Sequence, residues 1–112
     1  GVLTMAITTI NQENFDDQVT RSSAPVLLDF WAAWCEPCTV MRPEVEAVAE
    51  RLKGQVTFFS VDAEDKNLRG VLLKEDIDGI PSMVFYRDGK MLDSLVGYKK
   101  ADVLESLIKE VI

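Results

Sequence analysis

Val26-Leu27-Leu28-Asp29-Phe30-Trp31-Ala32-Ala33-Trp34-Cys35-Glu36-Pro37-Cys38 decides how this chain is read. Its first six residues are almost wholly apolar, the signature of a strand buried on both faces. Its end holds the only two cysteines among 112 residues, spaced C-x-x-C. A helix-like run follows from Thr39 to Leu52, with Met41, Val45, Val48 and Leu52 at helical spacing. A cysteine pair where a buried strand gives way to a helix points to dithiol–disulfide exchange. As a structural staple the pair makes poor sense, because so small a loop constrains the unfolded chain little.

Composition narrows the alternatives. The length suits one domain, residues 1–112, with a single core. Net charge is −7, from 12 basic and 19 acidic residues, which argues against a nucleic-acid partner. Without histidine there is no Cys-His or Ser-His catalysis and no His-containing zinc site. Two cysteines cannot close a four-ligand metal site within one chain, so no metal is expected. No apolar run is long enough for a membrane span. No signal peptide is read in Gly1-Val2-Leu3-Thr4-Met5. Residues 1–5 are expected to be a flexible or appended N-terminus, with Met5 as a natural start.

Outward from the central stretch, Ala6–Ile10 predicts a first strand. Asn11 is a good cap for a helix to about Arg21, with Phe15 and Val19 on its apolar face. Pro43 should kink the helix after the cysteines, and Gly54 should stop it. Val56–Val61 predicts another buried strand, and Asn67 to about Lys74 a short helix. Gly79-Ile80-Pro81 is a turn. Ser82–Tyr86 and Met91–Val96 read as a hairpin around Asp88-Gly89. Lys100–Ile112 is a final amphipathic helix without a good cap of its own. Right-handed crossovers would make the first three strands parallel.

Within the motif, Cys35 and Cys38 fall on one side of the first helical turn and can bridge. Cys35 lies nearer the free N–H groups that favour a thiolate, the attacking species in exchange. Cys38, one turn deeper, would resolve the mixed disulfide. Pro37 suits a helix start. Trp34 is either a flat surface beside Cys35 or a half-buried core aromatic. Asp29 is costly to bury ionised: buried, it could trade protons; on an exposed face it would be ordinary. Ile80-Pro81 reads from composition as an ordinary trans bond. Gly97 either leaves backbone open to a partner or marks a bulge.

These pieces, in this order, make the chain similar to the thioredoxin family: Asp29 through Cys38, Pro43, Gly79-Ile80-Pro81-Ser82, Asp88-Gly89 and Val96-Gly97. The resemblance runs from about Ala6 to the C-terminus. It implies an α/β thioredoxin fold, a central five-stranded mixed sheet flanked by four helices. It implies that Cys35 is the exposed nucleophile, Cys38 the buried resolving thiol, and Asp29 the buried group beneath Cys38 that helps move its proton. It turns Ile80-Pro81 into a cis bond packed against the disulfide. Trp34, Glu36, Pro37, Gly79, Ile80, Pro81, Val96 and Gly97 become the surface that receives a substrate. The implied function is protein disulfide reduction in the cytoplasm by a monomer. It needs no bound cofactor beyond the Cys35–Cys38 disulfide and is recharged by a thioredoxin reductase. An interaction module on the same fold and a dimeric metal or iron–sulfur carrier remain as alternatives, as does an oxidase or isomerase role.

Three positions depart from the family pattern. Glu36 replaces the usual glycine between the cysteines, Thr39 a common lysine after Cys38, and Ser60 a strand lysine that often pairs with the buried aspartate. All three lower the positive potential, so Cys35 is expected to titrate somewhat higher than in a relative with glycine and two lysines.

Overall fold

The computed structural model describes residues 7–10, 13, 15–22, 24–65 and 79–112. Five strands form one sheet: β1 (Ile7–Thr9), β2 (Val26–Trp31), β3 (Thr57–Asp62), β4 (Ser82–Arg87) and β5 (Lys90–Val96), in the spatial order β1-β3-β2-β4-β5. The first three are parallel, and β4 and β5 join antiparallel. The mixed sheet and its three parallel strands match the sequence expectation. β2 lies at the centre, paired with β3 on one side and β4 on the other.

Strand alternation sorts the core into two layers. Leu27, Phe58, Met83 and Phe85 face helices α1 (Glu36–Arg51) and α2 (Ala101–Val111), meeting Met41, Val45, Val48, Leu52, Leu104 and Ile108. Val26, Leu28, Phe30, Phe59, Val61, Val84 and Tyr86 fill the other face, with Val19 and Phe15 packed among them. Asp29 shares the parity of Leu27 and therefore points toward α1.

Phe15 and Val19 do lie on one apolar face, but the chain between Asp16 and Thr20 is a single wide turn of π-type geometry. The Asn11 cap, the helix over 67–74 and the N-terminal residues 1–5 lie outside the described residues; among the described residues there are two α-helices and this turn. Helix α1 continues through Pro43 and ends at Arg51, before Gly54.

The hairpin turns on Asp88 and Gly89, both at positive φ, 54° and 76°, as a type I′ turn requires. A Cβ on Gly89 would meet the Thr20 carbonyl oxygen at 2.7 Å, so backbone contact as well as φ excludes a side chain there. A bulge between Phe85 and Tyr86 shifts the register of the β4–β5 pair. Helix α2 has no cap from its own Lys100 side chain. Its first N–H, on Ala101, instead donates to Glu44 Oε1 of α1 at 3.0 Å.

Candidate active site

Strand β2 ends at Trp31, and Cys35 becomes the N-cap of α1 in extended conformation (φ −88°, ψ 102°). Pro37 occupies the first turn, where a missing N–H is harmless. Cys35 and Cys38 are joined by a disulfide, with Cα atoms 5.3 Å apart. The Cys38 N–H donates to Cys35 Sγ at 3.3 Å. The Thr39 N–H donates to the Cys35 carbonyl oxygen at 3.2 Å. Sulfur thus takes the place that a serine or aspartate oxygen holds in an ordinary N-cap.

Exposure differs from expectation. Cys35 is only 3% exposed and Cys38 7%, so both residues are buried in this oxidised form. The cause is local packing: Ala32, Cys35 and Cys38 form a small apolar cluster against which Trp31 and Ile80 rest. The two sulfurs differ in what lies beside them. Cys38, and not Cys35, lines a cavity of about 330 Å³ shared with Thr9, Asp29, Thr39, Arg42 and Ser60.

Asp29 is 5% exposed in the middle of β2, opposite Ser60 of β3 and Met83 of β4. Burial pushes its carboxyl up to about 6, against a smaller downward pull from Arg42. Arg42 Nη1 stands 3.7 Å from Asp29 Oδ2, and Arg42 Nε donates to Glu46 Oε1 at 3.2 Å. The family pattern leaves Asp29 without a cation once Ser60 replaces lysine, but Arg42 supplies one from the facing helix. Sequence reading missed it, although the signal was present: Arg42 is four residues beyond Cys38 and so on the same helix face.

The second wall comes from the far end of the chain. The Ile80–Pro81 bond is cis, as the resemblance implies and composition alone does not. Pro81 is buried, and its carbonyl oxygen accepts the Gly97 N–H at 2.8 Å, which fixes β5 beside it. Gly79 and Ile80 are half-buried and Val96 is exposed. Gly97 sits at φ +95°, a backbone that a side chain would strain, and a Cβ there would meet nothing nearer than Lys99 Nζ at 3.9 Å. Trp34 is 70% exposed, which rules out a core aromatic; its indole N–H donates to Glu64 Oε1. Glu36 and Pro37 border a shallow depression with Val40 and Tyr98, two exposed residues that sequence reading also passed over. The predicted residues therefore gather at one end of the sheet, around the end of β2 and the starts of α1 and β4.

Among the described residues no cluster of three or more His, Cys, Asp or Glu could hold a metal ion, and no helix is long and apolar enough to cross a membrane.

A sequence model described as Thioredoxin matches residues 6–110. The mitochondrial thioredoxin of Bos taurus is 33% identical over 88% of this chain and 58% of its own length. A thioredoxin of Staphylococcus saprophyticus is 30% identical over 95% of this chain and 98% of its own, and that of Porphyra purpurea 28% identical over 96% and 99%. The chain thus spans under two thirds of the mitochondrial relatives it matches, and nearly the whole of the Staphylococcus saprophyticus and Porphyra purpurea proteins.

Proposed function

The chain belongs to the thioredoxin family, and on that premise we propose that it is a protein disulfide reductase working by dithiol–disulfide exchange through Cys35 and Cys38. The observation that carries the reading is the asymmetry of the two sulfurs. Cys35 Sγ caps a helix N-terminus and accepts the Cys38 N–H, while Cys38 borders the cavity that holds Asp29.

The reduced protein presents Cys35 as a thiolate, favoured by the helix dipole and the donated N–H. It attacks one sulfur of a substrate disulfide. A Cys35–substrate disulfide forms, and the other substrate sulfur leaves as a thiolate that takes a proton from water. Cys38 then gives its proton to the Asp29 carboxylate, directly or across the cavity they share, and its sulfur attacks Cys35 Sγ. The Cys35–Cys38 bond forms and the second substrate sulfur leaves. Two electrons have passed to the substrate. No bound cofactor takes part; a thioredoxin reductase returns the electrons.

Trp34, Glu36, Pro37, Gly79, Ile80, Pro81, Val96 and Gly97 form the docking surface. The absence of a side chain at Gly97 and the flat ring of Trp34 suit an extended segment of a partner. One domain acting as a monomer suffices for these steps. A reducing compartment such as the cytoplasm keeps this cycle supplied with electrons.

The test is NADPH-driven reduction of insulin through a panel of thioredoxin reductases, with the reduction potential measured alongside. Turnover is expected, and Cys38→Ser should accumulate mixed disulfides at Cys35. No turnover with any reductase, together with a strongly oxidising potential, would overturn the proposal.

A further inference from the structure

We propose that Arg42 is a positioning residue for the second half of the exchange: it holds Asp29 ready to accept the Cys38 proton, a task for which the strand position opposite Asp29 offers only Ser60. The inference rests on the proton-accepting role given to Asp29 above.

Three observations carry it. Asp29 and Arg42 are the only charged residues lining the cavity beside Cys38, among the described residues. Around Asp29, β1 offers Thr9, β3 offers Ser60 and β4 offers Met83, so no charge comes from the sheet. From α1, Arg42 brings a guanidinium to 3.7 Å, with Glu46 behind it at 3.2 Å.

Spacing makes the arrangement one unit. Cys38, Arg42 and Glu46 follow one another at four-residue steps along one face of α1. At 3.7 Å the contact with Asp29 is too long for a hydrogen bond and acts through charge. Glu46 holds the guanidinium from the outer side, and the Arg42 side chain is about a third exposed. The ion pair favours the Asp29 carboxylate before the step. Once Asp29 takes the proton, the attraction lapses, Arg42 keeps its bond to Glu46, and the proton can leave through the cavity. The family's lysine acts from a strand; here the cation comes from the helix that bears the thiol.

The experiment compares the natural protein with Arg42→Gln, Arg42→Lys, Arg42→Gln/Ser60→Lys and Asp29→Asn. The Asp29 carboxyl is titrated by NMR in the oxidised proteins. The reduced proteins are mixed with 5,5′-dithiobis(2-nitrobenzoate). The first thionitrobenzoate released reports attack by Cys35, and the second reports resolution by Cys38. Arg42→Gln should raise the Asp29 midpoint, and with it the pH profile of the second release, by about 0.5–1 pH unit, a range that allows for screening at a partly exposed cation. Arg42→Lys should shift both less, and Ser60→Lys in the Arg42→Gln background should restore them. An Asp29 midpoint that does not move in Arg42→Gln overturns the proposal. So does a second-release profile that stays put in Arg42→Gln while Asp29→Asn alters it. If Asp29→Asn itself leaves that profile unchanged, the proton-accepting role of Asp29 fails, and the role of Arg42 with it.

Discussion

The Cys38 N–H donates to Cys35 Sγ at 3.3 Å, so the sulfur proposed to attack substrate is also the N-cap of the longest described helix. A thiolate at that position satisfies an orphan donor and meets the positive end of the dipole. Cys35 is therefore predicted to titrate below an ordinary thiol. Glu36, next in sequence, opposes this, and Thr39 adds no positive charge. Ser60 lies beside Asp29 and not beside Cys35, so its effect on Cys35 should be the smallest of the three. The triple variant Glu36→Gly, Thr39→Lys, Ser60→Lys should lower the Cys35 midpoint by about 0.5 pH unit, most of it from the first two changes. Thiolate absorbance against pH measures it; a midpoint equal to or above the natural one would sink the prediction.

Asp29 makes stability depend on pH. Its carboxyl titrates at 3.8 in the unfolded reference and at about 6 when folded. Below pH 4 both states hold the proton and burial carries no ionic cost. Between these values the unfolded chain ionises first, so stability falls as pH rises. Above pH 6 the folded protein holds a buried anion, at a cost of about 3 kcal/mol. Asp29→Asn should thus gain about 2–3 kcal/mol over the natural protein between pH 4 and pH 7. Urea unfolding at both values checks this, and a difference independent of pH would show that the carboxyl is not desolvated.

Glu44 ties two helices together by capping Ala101 across the α1–α2 interface. Glu44→Ala should cost about 1 kcal/mol, the usual price of a lost cap. The exposed pairs of Arg51 with Asp102 and Glu105 at the same interface should matter less. Amide exchange at Ala101 should quicken in Glu44→Ala and stay near natural in Arg51→Ala. The opposite ranking would argue against the cap.

Gly89→Ala combines positive φ with a contact of 2.7 Å to the Thr20 carbonyl oxygen. It should destabilise by about 2 kcal/mol. A loss under about 0.5 kcal/mol in urea would mean that the hairpin shifts freely away from the turn at Asp16–Thr20.

The frame of this protein is legible from pattern alone. Val26–Trp31 reads as a central strand and Asp88-Gly89 as a hairpin turn, and both are found. What pattern does not carry are relationships between elements. The cis bond at Pro81 is invisible to composition and follows only from the resemblance. Lys100 is a poor cap by local rules, and the Ala101 N–H is met instead by Glu44, 57 residues before Ala101. Arg42 reads as one more solvated charge until β2 places Asp29 opposite it. The burial of Cys35 in the oxidised form is not legible for a similar reason, since the cluster it shares with Ala32 and Cys38 packs against Ile80 from a distant segment.

The sheet order also bears on how the chain is made. β2 is flanked on one side by β3 and on the other by β4, which lies some fifty residues further along. While the chain emerges, the segment through Asp62 can pair β1, β2 and β3 and already holds both thiols. The apolar edge of β2 then stands open until Ser82–Arg87 arrives, the kind of edge that invites pairing with another chain. In the same interval the dithiol lacks Ile80, Pro81 and Gly97. Nascent protein halted before β4 should be prone to aggregate, a liability that this strand removes when it docks.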